Sequence, residues 1–82
     1  PPFWDRDGQL FLRFSYIENE SRTDVYLTAY DEELNQLGET FVPQLTKKPA
    51  KHFAKDGQIW IYENIADEMG FVRLKIQSKN FR

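Results

Sequence analysis

Three groups of side chains in this sequence have the types and spacing for chemistry. Asp5-Arg6-Asp7-Gly8 sets carboxylates at alternate positions ahead of a glycine, as at the start of a calcium-binding loop. The loop is not completed, because Gln9 follows and no glutamate stands where such a loop must end. A turn explains the same residues, since Asp and Gly both suit backbone of positive φ. His52 is the only histidine and could act as a base or a metal ligand. It has no second His and no Cys to share a metal, and the nearby carboxylates are not in ligand spacing. A histidine at a strand edge is the simpler reading, and no metal or cofactor is expected.

Lys47, Lys48, Lys51 and Lys55, with His52 and Phe53 among them, could touch phosphates or RNA. Lysines also protect a sheet edge from unwanted pairing. That reading is preferred, so no nucleic-acid partner is expected. Trp4, Trp60, Tyr26, Tyr30 and Tyr62 could form a platform that stacks on a carbohydrate or docks a protein. Aromatics at alternating strand positions also pack one sheet on another. Trp4, Trp60, Tyr62 and His52 are therefore the candidates for ligand binding, and no residue is a catalytic candidate. Ser15, Ser21 and Ser78 lie in no nucleophile motif, and no glycine-rich phosphate loop is present. Asn19-Glu20-Ser21 fits a glycosylation sequon, which matters only in a eukaryotic secretory setting.

These residues must be positioned by strands. In 9–17, Leu10, Leu12, Phe14 and Tyr16 fall on one face and Phe11, Arg13, Ser15 and Ile17 on the other. Such period-two alternation predicts a strand. Residues 24–30 continue it, with Val25, Leu27 and Ala29 opposite Tyr26, Thr28 and Tyr30. The polar stretch 18–23 between them predicts an antiparallel hairpin. A turn is expected over 31–35, then a strand over 37–42 closed by Pro43. Further strands are expected before Asp56-Gly57, over 58–65 and over 71–76, with a turn at 66–70.

The chain also repeats itself. Arg6-Asp7-Gly8-Gln9-Leu10-Phe11-Leu12 matches Lys55-Asp56-Gly57-Gln58-Ile59-Trp60-Ile61, 49 positions on. Phe3-Trp4 stands ahead of the first copy and His52-Phe53 ahead of the second. After a loop two residues shorter in the second copy, Val25, Leu27 and Ala29 are expected to match Val72, Leu74 and Ile76. Each unit reads short strand, Asp-Gly turn, long strand, loop, long strand. The fold class is therefore all-β and antiparallel, about seven strands in two blade-like sheets. The units are 1–43, with four strands, and 51–82, incomplete, with a connector over 44–50. Repeats of this length carrying four strands are the signature of propeller blades. Asp-Gly also favours hairpin turns generally, which leaves chance similarity as the alternative.

Composition agrees with a small folded domain. The 82 residues contain 16% aromatics and no cysteine, and the net charge is −2. Disulfides and thiolate zinc sites are excluded, and nothing in the net charge draws the chain to nucleic acid or anionic membrane. No apolar run is long enough to cross a bilayer as a helix. The chain opens Pro1-Pro2, so it is expected to be part of something longer or processed.

The stretches "PPFWDRDGQLFLRFSY", "DVYLTAYDEELNQLGE" and "KHFAKDGQIWIYENIADEMGFVRLKI" together resemble the C-terminal part of uncharacterised propeller-like lipoproteins of Bacteroidetes, a domain-of-unknown-function family. The resemblance spans Pro1 to Ile76. It implies a six-bladed ring, an exported protein of the cell envelope, and a last blade closed by a strand from the N-terminus of the longer parent. It carries over no catalytic residue. The expected function is a non-catalytic propeller-type scaffold or binding module for a protein or glycan. The alternatives are an enzyme whose active site lies in other blades, and a stand-alone β domain that associates with itself through its edge strands.

Overall fold

A computed structural model of the protein describes residues 1–65 and 68–76. Every regular element among them is a strand. In chain order these are β1 (Phe3–Asp5), β2 (Leu10–Glu18), β3 (Thr23–Tyr30), β4 (Gln36–Phe41), β5 (His52–Lys55), β6 (Gln58–Ile65) and β7 (Glu68–Lys75). All neighbours pair antiparallel, in one sheet of order β1-β2-β3-β4 and a second of order β5-β6-β7. The expected all-β, two-sheet architecture is what the chain adopts. Residues 77–82, where a further strand was expected to be lacking, lie outside the described residues.

The alternation read from the sequence sets the faces. Leu12, Leu27, Ala29 and Val42 from the first sheet meet Ile59 and Ile61 from the second in one buried cluster. Phe3, Leu10, Phe14, Val72, Leu74 and Ile76 pack around it. Residues of the opposite parity point away from this core on both sheets. Burial of the aliphatic layer is the main stabilising term at ~25 cal/mol per Å² of apolar surface.

The two sheets are stacked in the same sense. The Phe3 and His52 rings touch at 4.6 Å, and the Gly57 amide donates to Asp7 Oδ2 at 3.2 Å. β1 and β5 therefore run side by side in one direction. Leu27 and Val42 on one side face Val72 and Leu74 on the other across a cleft, so both sheets fan out the same way. In such a stack, residues matched by a repeat point in one common direction, and only one of each pair would reach the shared core. Leu12 and Ile61 both reach it.

The turns explain this. β1 and β2 close on Asp5↔Leu10, leaving Arg6, Asp7, Gly8 and Gln9 in the turn. β5 and β6 close on Lys55↔Gln58, leaving only Asp56 and Gly57. Counted from the closing pair, the copies are one residue out of phase, and a slip of one residue turns a strand's side chains to the other face. Asp56 (φ 55°) and Gly57 (φ 71°) both lie in the left-handed region, as a two-residue hairpin turn of type I′ requires. In the first copy Gln9 takes the left-handed conformation instead (φ 55°), and the Asp5 carboxylate accepts from the Asp7 amide at 3.2 Å.

Two expectations are corrected. Of the turn expected over 66–70, residues 68–70 belong to β7, where Gly70 pairs with Glu63 inside the ladder, and residues 66–67 lie outside the described residues. The match of Val25, Leu27 and Ala29 with Val72, Leu74 and Ile76 is displaced. Ala29 lies opposite Leu12, whereas Val72 lies opposite Ile61, so Ala29 and not Val25 holds the place that Val72 holds in the second hairpin. The first arises because the ladder between β6 and β7 continues to Ile65↔Glu68, past a glycine that intrinsic strand preference disfavours. The second arises because the β2–β3 ladder runs six pairs beyond Leu12↔Ala29, against four beyond Ile61↔Val72.

The β3–β4 turn forms as expected around Asp31. Its carboxylate accepts from the amides of Asn35 (2.8 Å) and Glu33 (3.0 Å) and from Asn35 Nδ2 (3.2 Å). The Asn35 amide above all, then its side chain and the Glu33 amide, hold this carboxyl below the usual aspartate range against a smaller opposing effect of burial. A depressed folded-state pKa means the turn's contribution is complete at neutral pH. It is lost as pH falls from the ordinary aspartate pKa through the folded one. An NMR titration of the Asp31 carboxyl carbon should show a midpoint below that of a free aspartate, and Asp31→Ala should abolish the acid-side loosening of Leu34 and Asn35.

Candidate functional site

The outer face of the second sheet carries a cluster of aromatic rings. Phe53 pairs with Trp60 across β5 and β6, and Trp60 with Arg73 across β6 and β7. Tyr62 pairs with Phe71. Pairing directly opposite on one face brings side chains into contact. The Phe53 and Trp60 rings lie parallel at 6.1 Å, and Phe71 stands edge-on to both, 5.9 Å from Phe53 and 5.6 Å from Trp60. The Tyr62 and Phe71 rings are 4.5 Å apart. The Arg73 guanidinium sits 5.3 Å above the Trp60 ring, a cation–π contact. Trp60 Nε1 donates to the Lys55 carbonyl at 3.2 Å, which ties the indole to the backbone of β5. Phe53, Tyr62 and Phe71 nevertheless remain 40–43% exposed. Lys55, Arg73 and Lys75 share this face by parity and are exposed.

Trp4 is elsewhere. It pairs with Phe11, rings 4.8 Å apart, on the outer face of the first sheet. That face also holds Tyr26 and Phe41, 5.5 Å apart. Trp4 therefore stands on the opposite side of the molecule from Trp60 and Tyr62, and the candidate aromatics form two surfaces. Phe71 and Arg73 complete the second surface and were not singled out by sequence. The available signal was the one-sided parity of Phe71, Arg73 and Lys75, which becomes informative only once the register against β6 is known.

His52 points inward. Its ring meets Phe3 and Phe14 edge-on, at 4.6 and 4.9 Å. Nδ1 lies 2.7 Å from the Ala50 carbonyl oxygen, so Nδ1 carries the hydrogen and donates it. His52 is thereby held as a packing element beside a shallow groove of about 430 Å³ near Pro1, Tyr16 and Lys48. Lys48 Nζ lies 5.5 Å over the Tyr16 ring, which brings one member of the lysine cluster into the lining of that groove. Asp5 is buried and Asp7 reaches across to Gly57, so both carboxylates organise turns. Among the described residues no group of His, Cys, Asp and Glu is placed to hold a metal, and no helix is long and apolar enough to cross a membrane.

The chain is thus an all-β protein of two stacked antiparallel sheets with an aromatic surface on either side. Residues 2–41 match the model of a family described as Domain of unknown function (DUF4221), a span that takes in the whole of the first sheet. Comparison with curated proteins and with solved structures found no match.

Proposed function

We propose that the chain is a non-catalytic scaffold and binding module of propeller type, in which the outer face of the second sheet binds a protein or a glycan. The observation that carries this reading is the exposed set Phe53, Tyr62 and Phe71 around the half-buried Trp60, with Arg73 over its ring. Clustered exposed aromatics with a cation mark binding surfaces, because they desolvate easily and lose little conformational freedom. The similar stacking sense of the two sheets supports the blade-like character. It leaves an apolar face on each side of the pair, as a section of a larger ring in an exported envelope protein would.

Trp60→Ala and Tyr62→Ala test the reading. Tyr62→Ala should cost only about 0.5–1 kcal/mol of stability, as for a half-exposed side chain. Either change should weaken binding at least ~10-fold, as loss of a central aromatic anchor does. The binding probes are an array of neutral and acidic oligosaccharides and the protein itself. If no oligosaccharide and no protein, a second copy included, is bound at that face, the reading fails. It also fails if the variants unfold as core variants do while binding is unchanged.

A further inference from the structure

The geometry points to a specific occupant for that face: the outer face of the first sheet of a second copy of this chain. This inference rests on the reading of the face as a binding surface and names its partner. Three observations carry it. First, both outer faces are aromatic and open, with Trp4 and Phe41 on one at 40% and 49% exposure and Phe53 and Phe71 on the other at 43% and 42%. Two such surfaces on so small a chain leave much apolar area in water. Second, their charges are complementary. The second sheet's outer face presents Lys55, Arg73 and Lys75 and, among the described residues, no carboxylate. On the first sheet's outer face Asp24 is taken up by Arg22 at 3.2 Å, so the acid that meets those cations is Glu39, two strands across from Arg13. Glu39 is anchored there, accepting from Thr28 Oγ1 at 3.1 Å. Third, the stacking already within the chain supplies the geometry. Strand β7 lies across from β3 and β4 inside the molecule. One more step of the same stacking lays Arg73 and Lys75 of one copy over Glu39 and Phe41 of the next.

The contact is between unlike faces. It is therefore heterologous, and it continues from copy to copy until the series closes into a ring. Each step covers the Trp60 cluster with Trp4, Tyr26 and Phe41.

Sedimentation equilibrium of the full chain across concentrations, with charge-reversed variants, tests this. Wild type should show a mass rising above that of one chain. Arg73→Glu and Glu39→Lys each place like charges across the contact and should weaken association at least ~10-fold. An equimolar mixture of the two variants should recover it, because every contact in an alternating series is again between opposite charges. Both positions are exposed, and far-UV circular dichroism confirms that each variant is folded. A wild type that stays a single chain at all concentrations overturns the proposal. So does association that both variants leave unchanged, which would place the contact at sheet edges. An oligosaccharide bound by a strictly single-chain protein would overturn this inference and leave the binding-surface reading standing.

Discussion

Leu12→Ala should lower the unfolding free energy by about 3–4 kcal/mol. The size follows from position. Leu12 is fully buried and belongs to the cluster that joins the two sheets, with Phe3 and Ala29 opposite it on the neighbouring strands. Truncating a buried leucine removes transfer free energy and leaves a cavity, together ~2–5 kcal/mol. A site between two sheets, each held by its own hydrogen-bond ladder, relaxes poorly into such a void. A domain of this length has a total stability of ~4–12 kcal/mol, so the loss is a large share of the whole. Urea denaturation should show the midpoint falling with little change in slope. Ile61→Ala should act alike, since it lies on the facing sheet in the same cluster. The pair should be less than additive, because the second truncation enlarges an existing cavity.

The two Asp-Gly steps should respond differently to the same substitution, and this is the second large effect. At Gly57 there is open space around the position a Cβ would take, but φ is +71°. Gly57→Ala should therefore cost about 1 kcal/mol through backbone conformation alone, and Gly57→Asn should cost less, because Asn tolerates the left-handed region. At Gly8 a Cβ would stand 2.5 Å from Asp5 Oδ2. Asp5 is buried, and its other oxygen holds the Asp7 amide. Gly8→Ala must displace that carboxylate, so a cost of about 1–2 kcal/mol is expected from the strained contact and the weakened hydrogen bond. Asn gives no relief there. Thermal melts of the four variants check the contrast. Rescue by Asn at Gly8 as well as at Gly57 would show that both turns require the same backbone.

These turns also mark where sequence reading stopped. The strands were legible because Leu10, Leu12 and Phe14, or Ile59 and Ile61, alternate with residues of other character, and period two survives whatever lies outside the strand. The Asp31 turn was legible because its stabilising hydrogen bonds are local. The phase of the two sheets was not, because identical Asp-Gly-Gln triplets close on different pairs, Asp5↔Leu10 and Lys55↔Gln58. That choice depends on Asp5 being buried and on Gln9 taking a left-handed conformation, neither of which the triplet encodes. The start of β7 was missed because Gly70 argues locally for a turn, while its pairing partner Glu63 is supplied by the rest of the hairpin.

The candidate site followed the same division. Trp60 and Tyr62 stand out by residue type and share a face by parity. Their separation from Trp4 follows from which faces the two sheets turn toward each other, a tertiary fact. His52, read from the sequence as a strand-edge histidine, opens β5, but its packing against Phe3 and Phe14 follows only from how the two sheets stack. Phe71 and Arg73 joined the site only through register.

The central claim is that aliphatic residues fill the space between the sheets and leave the aromatic faces open to a partner. Solvent paramagnetic relaxation by NMR tests it most directly, applied to the Arg73→Glu variant so that self-association does not hide a face. A soluble gadolinium chelate should broaden the ring signals of Trp4, Phe41, Phe53, Tyr62 and Phe71, while the methyl signals of Leu12, Val25, Ile59 and Ile61 stay sharp. Protected aromatic rings beside broadened aliphatic methyls would mean that the sheets pack through their other faces, and would contradict the account.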